Sequence, residues 1–313
     1  MHIWILGSDT GNHNKMSRHT GNFREEVDRK TPQPLIGFFL RLIREKPLGI
    51  AGGSVLAIML FAGIFANLLT PYGMNELHLI DRFAGPSSKY LIGADQLGRD
   101  ILTRMIHGAR ISVIVGLGGT SVAVVVAALI GVPSGYFGGR YDMVLQRIVD
   151  ALVAFPTLLI LLTLMSTVGR GMIQIILVMG ILHGIATSRI TRSAVIGIKE
   201  NDYFQAAKAI GITDLRLIIR YVMPNIMAPL IVMFTVAIGS MILWEASLSF
   251  LGFGLPPDVP SWGGMLNHEG RLYMEMKPAL ALWPGLFLTI TVYSINMFGD
   301  AIRDLLDPRL RGG

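Results

Sequence analysis

Long apolar runs alternate with short polar segments along most of the chain. A membrane-spanning helix needs roughly 20 apolar residues, and six runs reach or approach that length. We predict six transmembrane helices with these bounds: Leu48–Leu69, Ile111–Pro133, Ile148–Val168, Met172–Ser188, Ile226–Leu251 and Ala279–Phe298. Only residues 169–171 separate the third run from the fourth, so these two helices are expected to form a tight hairpin. The pattern predicts an all-α integral membrane protein whose membrane domain covers residues 48–311.

The first 46 residues carry no such run and divide into two parts. Residues 1–34 are polar and predict a disordered tail, with Met16 as an alternative start that would leave residues 1–15 outside the mature protein. Residues 35–46 place apolar and basic side chains on opposite helical faces, which is typical of a helix in the membrane interface. A simple polar flank of the first span is the alternative. No cleavable signal peptide is expected, because the first long run begins too deep in the chain.

Composition supports the membrane assignment: 52% of the 313 residues are hydrophobic and 15% are charged, which excludes an ordinary soluble domain. The absence of cysteine excludes disulfides and thiolate zinc sites. The net charge is +6, and the basic residues fall between apolar runs, which indicates membrane topology rather than nucleic-acid binding. Nineteen of the 27 Lys and Arg residues lie in segments on the side of both termini, so both termini and residues 200–225 are predicted to be cytoplasmic.

The polar segment over residues 200–225 has the pattern of two short helices joined at a glycine. Tyr203 to Ile210 predicts the first helix, Gly211 the turn, and Asp214 caps or begins the second. Apolar residues then repeat at helical spacing: Leu215, Ile218, Ile219 and Val222. Pro224 is expected to close the unit before the fifth span. A loop this ordered between two spans favours a docking role.

Several motifs resemble a known family. Gln205-Ala206-Ala207, then Gly211, then Met223-Pro224-Asn225 resemble the cytoplasmic coupling loop of permease subunits in binding-protein-dependent ABC importers. Gln205 stands where the family usually has Glu, which removes a charge. Residues 91–110, 135–156 and 243–254 resemble one subset in particular, the second permease subunit of dipeptide, oligopeptide and nickel importers, and residues 299–311 resemble the family ending. The resemblance covers nearly all of residues 35–311.

The resemblance implies the type I permease fold and a set of partners. These are a homologous permease subunit, two ABC ATPase subunits that receive the coupling loop, and an extracytoplasmic solute-binding protein, in a bacterial plasma membrane. ATP and Mg²⁺ would be bound by the ATPase subunits, with no cofactor on this chain. Peptides are the implied cargo, with nickel chelates, glutathione and short oligosaccharides as alternatives. The implied coupling residues are Tyr203, Gln205, Ala206, Ala207, Gly211, Asp214, Pro224 and Asn225.

Two ionisable residues, Glu245 and His183, interrupt apolar runs and are candidates for the translocation path, because such groups are costly in a membrane. Structural pairing of Glu245 and one interhelical hydrogen bond from His183 are the alternatives. The same two residues would form the acid/base pair of a stand-alone membrane enzyme. That rival, like a passive channel, gives the ordered loop no role. The sequence has no Walker loop, no nucleophile elbow and no His/Glu spacing typical of a metal site, so no catalytic or metal site is predicted.

Four local predictions concern packing and charge. Asp95, Arg99 and Asp100 are expected to form a charge network beside the second span. Pro156 predicts a kink in the third helix, and Trp262 either anchors at the interface or packs under its loop. The last polar stretch predicts a solvated or ATPase-facing charge cluster: Asp300, Arg303, Asp304 and Asp307.

Overall fold

The computed structural model describes residues 42–306, which are almost wholly helical. Within that range, the one β-type contact reported is an isolated bridge between Ala94 and Asp100. The predicted tail over residues 1–34, Met16, residues 35–41 of the predicted interfacial helix, and Asp307 lie outside the described residues. Residues 42–45 are helical and Leu42 is buried.

Twelve α-helices follow residue 46 in the described part of the chain. They are α1 Pro47–Ile64, α2 Ala66–Leu69, α3 Ile101–Phe137, α4 Gly139–Val153, α5 Thr157–Val168, α6 Met172–Lys199, α7 Asp202–Ala209, α8 Asp214–Leu217, α9 Met223–Phe250, α10 Trp262–Met265, α11 Arg271–Tyr273 and α12 Ala279–Leu306. A 3₁₀ turn covers Leu79–Asp81, and π turns cover Ile218–Val222 and Leu266–Gly270. We call the end of the bundle that carries residues 70–100 and 251–278 the long-loop end, and the end that carries residues 200–222 the short-helix end.

Five helices in the described residues are long and apolar enough to cross a membrane: α1, α3, α6, the continuous Asp214–Phe250 helix that contains α8 and α9, and α12. The pair α4 and α5 passes the same test together but is bent by 86°. Counting this pair as one span gives six, so the all-α, six-span prediction is confirmed, with a broken third span.

The break in the third span lies at residues 154–156. Pro156 has no backbone N–H and disfavours helical geometry at the preceding residue, which accounts for the end of α4 there. The predicted kink is therefore a full change of direction. The 12 residues of α5 are about 18 Å long, less than the roughly 30 Å of a hydrocarbon core, so α5 alone is too short to span it.

Two helices extend well beyond their apolar runs. α3 starts at Ile101 rather than Ile111 because Asp100 caps it, its Oδ2 accepting from the Thr103 amide at 2.8 Å. α6 continues past Ser188 to Lys199, and its polar last turns are held by ion pairs to α4.

Asp142 and Asp150 of α4 pair with arginines of α6, and Asp150 also has a partner within α4. Arg147 lies 3.7 Å from Asp150, but Arg189 is closer to the same carboxylate, at 2.6 Å. Arg192 makes two hydrogen bonds to Asp142 of α4. The short-helix end therefore holds α4 against α6 through charged side chains.

The core of the molecule is the packing of α3 against α6, with α9 and α1 also on α3. Glycines on both helices allow the backbones to approach closely. A Cβ added at Gly184 would lie 2.6 Å from the Ala123 carbonyl oxygen, and one added at Gly131 would lie 2.5 Å from the Ser188 carbonyl oxygen. The small residues of the second predicted span thus define its packing face.

At the long-loop end, Trp262 lies under its loop rather than at a free surface. Its side chain is buried, and Nε1 donates to the Met105 carbonyl oxygen at 3.1 Å. Of the two alternatives for this residue, packing under the loop is the observed one. At the other end of the chain, Asp304 of α12 pairs with Lys46, just before α1.

Candidate functional site

The 202–225 segment, which follows α6 at the short-helix end, has the predicted pair of short helices. α7 ends in a glycine cap: Gly211 has φ +81°, its amide donates to the Lys208 carbonyl, and the Ile212 amide donates to the Ala207 carbonyl. These two bonds form a Schellman motif, which needs a residue in the left-handed region at the glycine position. The turn between α7 and α8 is therefore fixed by backbone hydrogen bonds.

Side chains of α7 tie the segment to the membrane helices. Phe204 and Ala207 are buried in a cluster that includes Val195 of α6. Gln205 Nε2 donates to the Lys199 carbonyl oxygen at 2.6 Å, and so satisfies a carbonyl at the end of α6. An ionised Glu at this position has no hydrogen to donate. The amide of this chain thus makes a contact that the usual family residue cannot make.

Four large apolar side chains of the segment point away from this core. They are Tyr203, Ile210, Leu215 and Ile219, and we call them the exposed apolar face. Ile210 is 79% exposed and Leu215 is 68% exposed, although each is next to an ordered backbone turn. An apolar face on an anchored, polar segment is typical of a protein docking surface.

The second helix differs from its predicted pattern in two ways. Leu217 and Val222 are its fully buried residues, whereas the predicted apolar positions Leu215 and Ile219 are exposed. Pro224 does not close the unit, because the helix runs unbroken from Asp214 to Phe250 through the π turn at Ile218–Val222.

The π turn explains how the helix continues past the proline. Pro224 lacks the N–H of a regular helical bond, and the Met223 amide bonds five residues back, to the Ile218 carbonyl. The next residue, Asn225, is exposed, and its side chain donates to the Tyr221 carbonyl oxygen at 2.6 Å. The second short helix and the fifth span are one continuous helix.

The start of α8 is held by the end of α3. The Tyr136 hydroxyl donates to Asp214 Oδ1 at 2.6 Å, and the Tyr136 ring meets the Phe204 ring edge-on at 6.3 Å. Lys199 Nζ, from the last residue of α6, donates to the Tyr136 carbonyl oxygen at 2.6 Å. Asp214 is the first residue of α8, which is one of its two predicted roles, and its carboxylate also accepts the hydrogen bond from the Tyr136 hydroxyl of α3.

Glu245 and His183 occupy separate environments. Glu245 is 1% exposed, and its Oε1 accepts from the Ser249 hydroxyl one turn further along α9 at 2.7 Å. His183 instead lines a cavity of about 530 Å³ together with Ser240 and Arg303. No hydrogen bond or ion pair reported among residues 42–306 joins the two candidates. Their roles in a translocation path remain predictions.

Comparison with known proteins gives the family. Residues 123–312 match the family described as binding-protein-dependent transport system inner membrane component. The chain belongs to this family. The match includes the whole 202–225 segment, both π turns and the cavity around His183, and it confirms the resemblance found in the sequence.

Named relatives of this permease agree over most of their length. The dipeptide transport system permease protein of Alkalihalophilus pseudofirmus is 35% identical over 86% of this chain and 88% of the relative. The glutathione transport system permease protein of Pectobacterium atrosepticum is 34% identical over 91% and 94%. A putative peptide transport system permease protein of Brucella suis is 36% identical over 89% and 93%. The chain is thus a multi-pass membrane component of a transport system.

The permease carries a buried charge cluster at the long-loop end that the sequence revealed only in part. Arg99 bonds Asp95 at 2.6 Å, as its spacing of four residues allows, and also Glu269 at 2.7 Å. Arg104 lies 3.3 Å from the same Glu269 carboxylate. Glu269 was missed because its partners Arg99 and Arg104 are 170 and 165 residues away in sequence, and Arg104 was missed because its nearest carboxylate is that of Glu269. Asp100, which was expected in this network, caps α3 instead.

Groups of His, Asp and Glu suited to a metal ion do not occur within residues 42–306. The acidic residues described above instead bond to arginines, to Lys46, to hydroxyls or to a backbone amide of the same chain.

Proposed function

We propose that this chain is one translocation subunit of an ATP-driven importer in a bacterial plasma membrane. It pairs with a homologous permease subunit to enclose a path, and two ABC ATPase subunits bind ATP and Mg²⁺ on the cytoplasmic side. An extracytoplasmic solute-binding protein delivers the cargo at the long-loop end. The chain itself holds no cofactor, catalyses no reaction and binds no nucleic acid. Both termini are cytoplasmic.

The exposed apolar face of the 202–225 segment is the observation that carries this proposal. Tyr203, Ile210, Leu215 and Ile219 stay exposed on helices whose other side is buried and whose turn is locked. Such a surface suits a groove on an ATPase subunit. Because α8 and α9 are one continuous helix, a displacement of the segment moves the fifth span directly. ATP-driven closure of the ATPase pair would thereby switch the path between inward-open and outward-open forms.

Peptides are the proposed cargo, because the relatives over nearly full length include permeases named for dipeptide and peptide transport. Glutathione is the second candidate, since a relative of similar identity is named for it. Nickel chelates remain a third candidate from the sequence resemblance. The enzyme alternative lacks support because its required acid/base pair is not brought together: Glu245 bonds to Ser249, whereas His183 lines the cavity.

The test is ATP hydrolysis by the complex that co-purifies with the tagged chain from native membranes. We expect hydrolysis to rise when a solute-binding protein loaded with a dipeptide is added. Stimulation by glutathione alone would keep the transporter and change the cargo. Failure of any ATPase to co-purify under conditions that preserve membrane complexes would contradict the proposal.

A substitution at Gly211 tests the coupling role directly. A Cβ at Gly211 meets no atom within 4 Å, so Gly211→Val acts through the positive φ, at a cost of about 1–2 kcal/mol. We expect peptide uptake to fall strongly while the subunit stays abundant in the membrane. Gly197→Ala in α6 is the matched control, because a Cβ there also meets no atom and φ is not in the positive range. Normal uptake by Gly211→Val at normal abundance would contradict the coupling role.

A further inference from the structure

Two physical routes lead from the 202–225 segment into the membrane helices. The first is covalent, because α8 continues through the π turn into α9. The second is a side-chain route to α3, and it runs through Tyr136. Tyr136 lies in the last turn of α3, and its side chain reaches both helices of the segment.

Tyr136 makes its two contacts with different parts of its side chain. The ring packs edge-on against Phe204 of α7, with an interplanar angle of 77°. The hydroxyl donates to Asp214 Oδ1 of α8 at 2.6 Å, a short bond to an acidic acceptor. Tyr136 is buried whereas Asp214 is exposed, so the bond lies at the edge of the packed core. The backbone at Tyr136 is held separately by Lys199 Nζ, at its carbonyl oxygen.

α3 connects this contact to the opposite end of the molecule. Its 37 residues form one helix about 55 Å long. The N-terminal turn of α3 carries Arg104, which lies in the buried charge cluster with Glu269 at the long-loop end. One continuous helix, with Pro133 inside it, therefore links the C-terminal end of α3 to the end where the cargo would arrive.

We infer that the Tyr136–Asp214 hydrogen bond makes α3 follow the movement of the 202–225 segment, so that Tyr136 is a positioning residue for transport. The inference rests on the proposed function. It adds a second transmembrane helix to the coupling route, in addition to α9. Without the hydroxyl, the segment still docks and still moves α9, but α3 is no longer held to Asp214.

Tyr136→Phe tests this, because it removes the hydroxyl alone and keeps the ring contact with Phe204 and the backbone bond from Lys199. The assay is the complete transporter in proteoliposomes, with dipeptide-loaded solute-binding protein, measuring peptide uptake and ATP hydrolysis together. We expect uptake per ATP to fall about tenfold, the change that follows from the loss of one charge-assisted hydrogen bond. ATP hydrolysis is expected to stay close to the wild-type rate.

Variants on the other side of the bond give the controls. Asp214→Ala is expected to lower uptake per ATP as Tyr136→Phe does, and the double variant to be no worse than either single one. Asp214→Asn keeps the accepting oxygen and is expected to recover most of the ratio lost in Asp214→Ala. Tyr141→Phe, at an exposed tyrosine of α4 whose hydroxyl makes no hydrogen bond within residues 42–306, is the matched control for loss of a hydroxyl.

The outcomes separate this inference from the proposed function. A wild-type ratio in Tyr136→Phe, or a parallel loss of uptake and hydrolysis at normal subunit abundance, would overturn the inference and leave the importer intact. A wild-type complex that shows no stimulated hydrolysis would overturn both. Additive effects of Tyr136→Phe and Asp214→Ala in the double variant would overturn the inference alone, because they would mean that the hydroxyl and the carboxylate act independently.

Discussion

At the scale of single residues, Arg104 illustrates how the permease keeps charge inside the protein. Its guanidinium lies 3.3 Å from Glu269 and 3.8 Å from Asp95, and all three side chains are nearly inaccessible. Burial raises the pKa of the Glu269 carboxyl, while Arg104 and Arg99 act to lower it. The two arginines therefore offset the cost of a buried carboxylate at the long-loop end.

Replacing Arg104 is expected to make stability depend on pH. A carboxyl whose pKa is higher in the folded than in the unfolded protein contributes stability below its unfolded pKa of about 4.3, and this is lost as pH rises through the folded pKa. Arg104→Met removes the largest influence that lowers the pKa of Glu269, so the folded pKa rises further above the unfolded one and stability depends on pH over a wider range. We expect Arg104→Met to lower the free energy of unfolding by about 3 kcal/mol near pH 8 and by much less near pH 5. Thermal stability in detergent at the two pH values measures the difference.

Two variants control this measurement. Arg271→Met removes an exposed arginine two residues from Glu269 and should leave the pH profile unchanged. Adding Glu269→Gln to Arg104→Met should flatten the profile, because no carboxylate then remains to titrate at that position. An equal loss of stability at both pH values in Arg104→Met would exclude the electrostatic explanation.

Sequence spacing predicted local charge contacts better than distant ones. Asp95 and Arg99 are four residues apart, and their pairing was visible in the sequence. Glu269 is 170 residues from Arg99, and nothing along the chain connects them. The sequence shows that Gln205 lacks the charge of the usual glutamate, but it does not show that the Gln205 amide donates a hydrogen bond to the last carbonyl of α6. Such partners depend on tertiary contacts that hydropathy and spacing do not contain.

At the scale of helices, the seam between α3 and α6 is tight enough to be tested by one added side chain. Gly131 faces the backbone of Ser188 and Arg192 and the Thr191 side chain, and backbone cannot move aside as a flexible side chain can. Gly131→Leu is expected to separate the helices and to destabilise the protein by about 3 kcal/mol or more. Gly197→Leu places the same side chain in open space on α6 and is expected to change stability little.

Thermal aggregation of the two variants in detergent measures this difference. Equal stability of Gly131→Leu and Gly197→Leu would mean that the seam is looser than its geometry indicates. The α3–α6 contact also positions Tyr136 and Lys199, so a separated seam is expected to disturb the 202–225 segment as well.

The long apolar helices and the two short helices of the 202–225 segment were predicted from the sequence, but several helix ends and the short helices α10 and α11 were not. Hydropathy defined the apolar parts of α3 and α6, whereas their polar extensions depend on the Asp100 cap and on ion pairs to α4. Pro156 indicated a kink without its size. Pro224 was predicted to end the second short helix because a proline removes one helical hydrogen bond, but the preceding π turn lets the helix continue into the fifth span.

At the scale of the whole molecule, the two ends of the bundle differ in charge and in shape. The segments on the side of residues 200–225 hold 19 of the 27 Lys and Arg residues of the sequence, so the positive-inside rule predicts that the short-helix end is cytoplasmic. The proposed function needs this orientation, because the ATPase subunits must reach the exposed apolar face. The membrane orientation of the chain can therefore be tested separately from its cargo and from its coupling to the ATPase subunits.

The native chain has no cysteine, so each introduced cysteine is the single thiol of its variant. Ile80 at the long-loop end and Glu200 at the short-helix end are both exposed. With a membrane-impermeant maleimide on intact cells stripped of any outer barrier, we expect Ile80→Cys to be labelled, and Glu200→Cys to be labelled only after permeabilisation. Leu129→Cys, exposed within the apolar run of α3, should resist aqueous labelling in both conditions because lipid or a partner subunit is expected to cover it. The reverse pattern for Ile80 and Glu200 would put the 202–225 segment on the side without ATP, and the importer proposal would then fail.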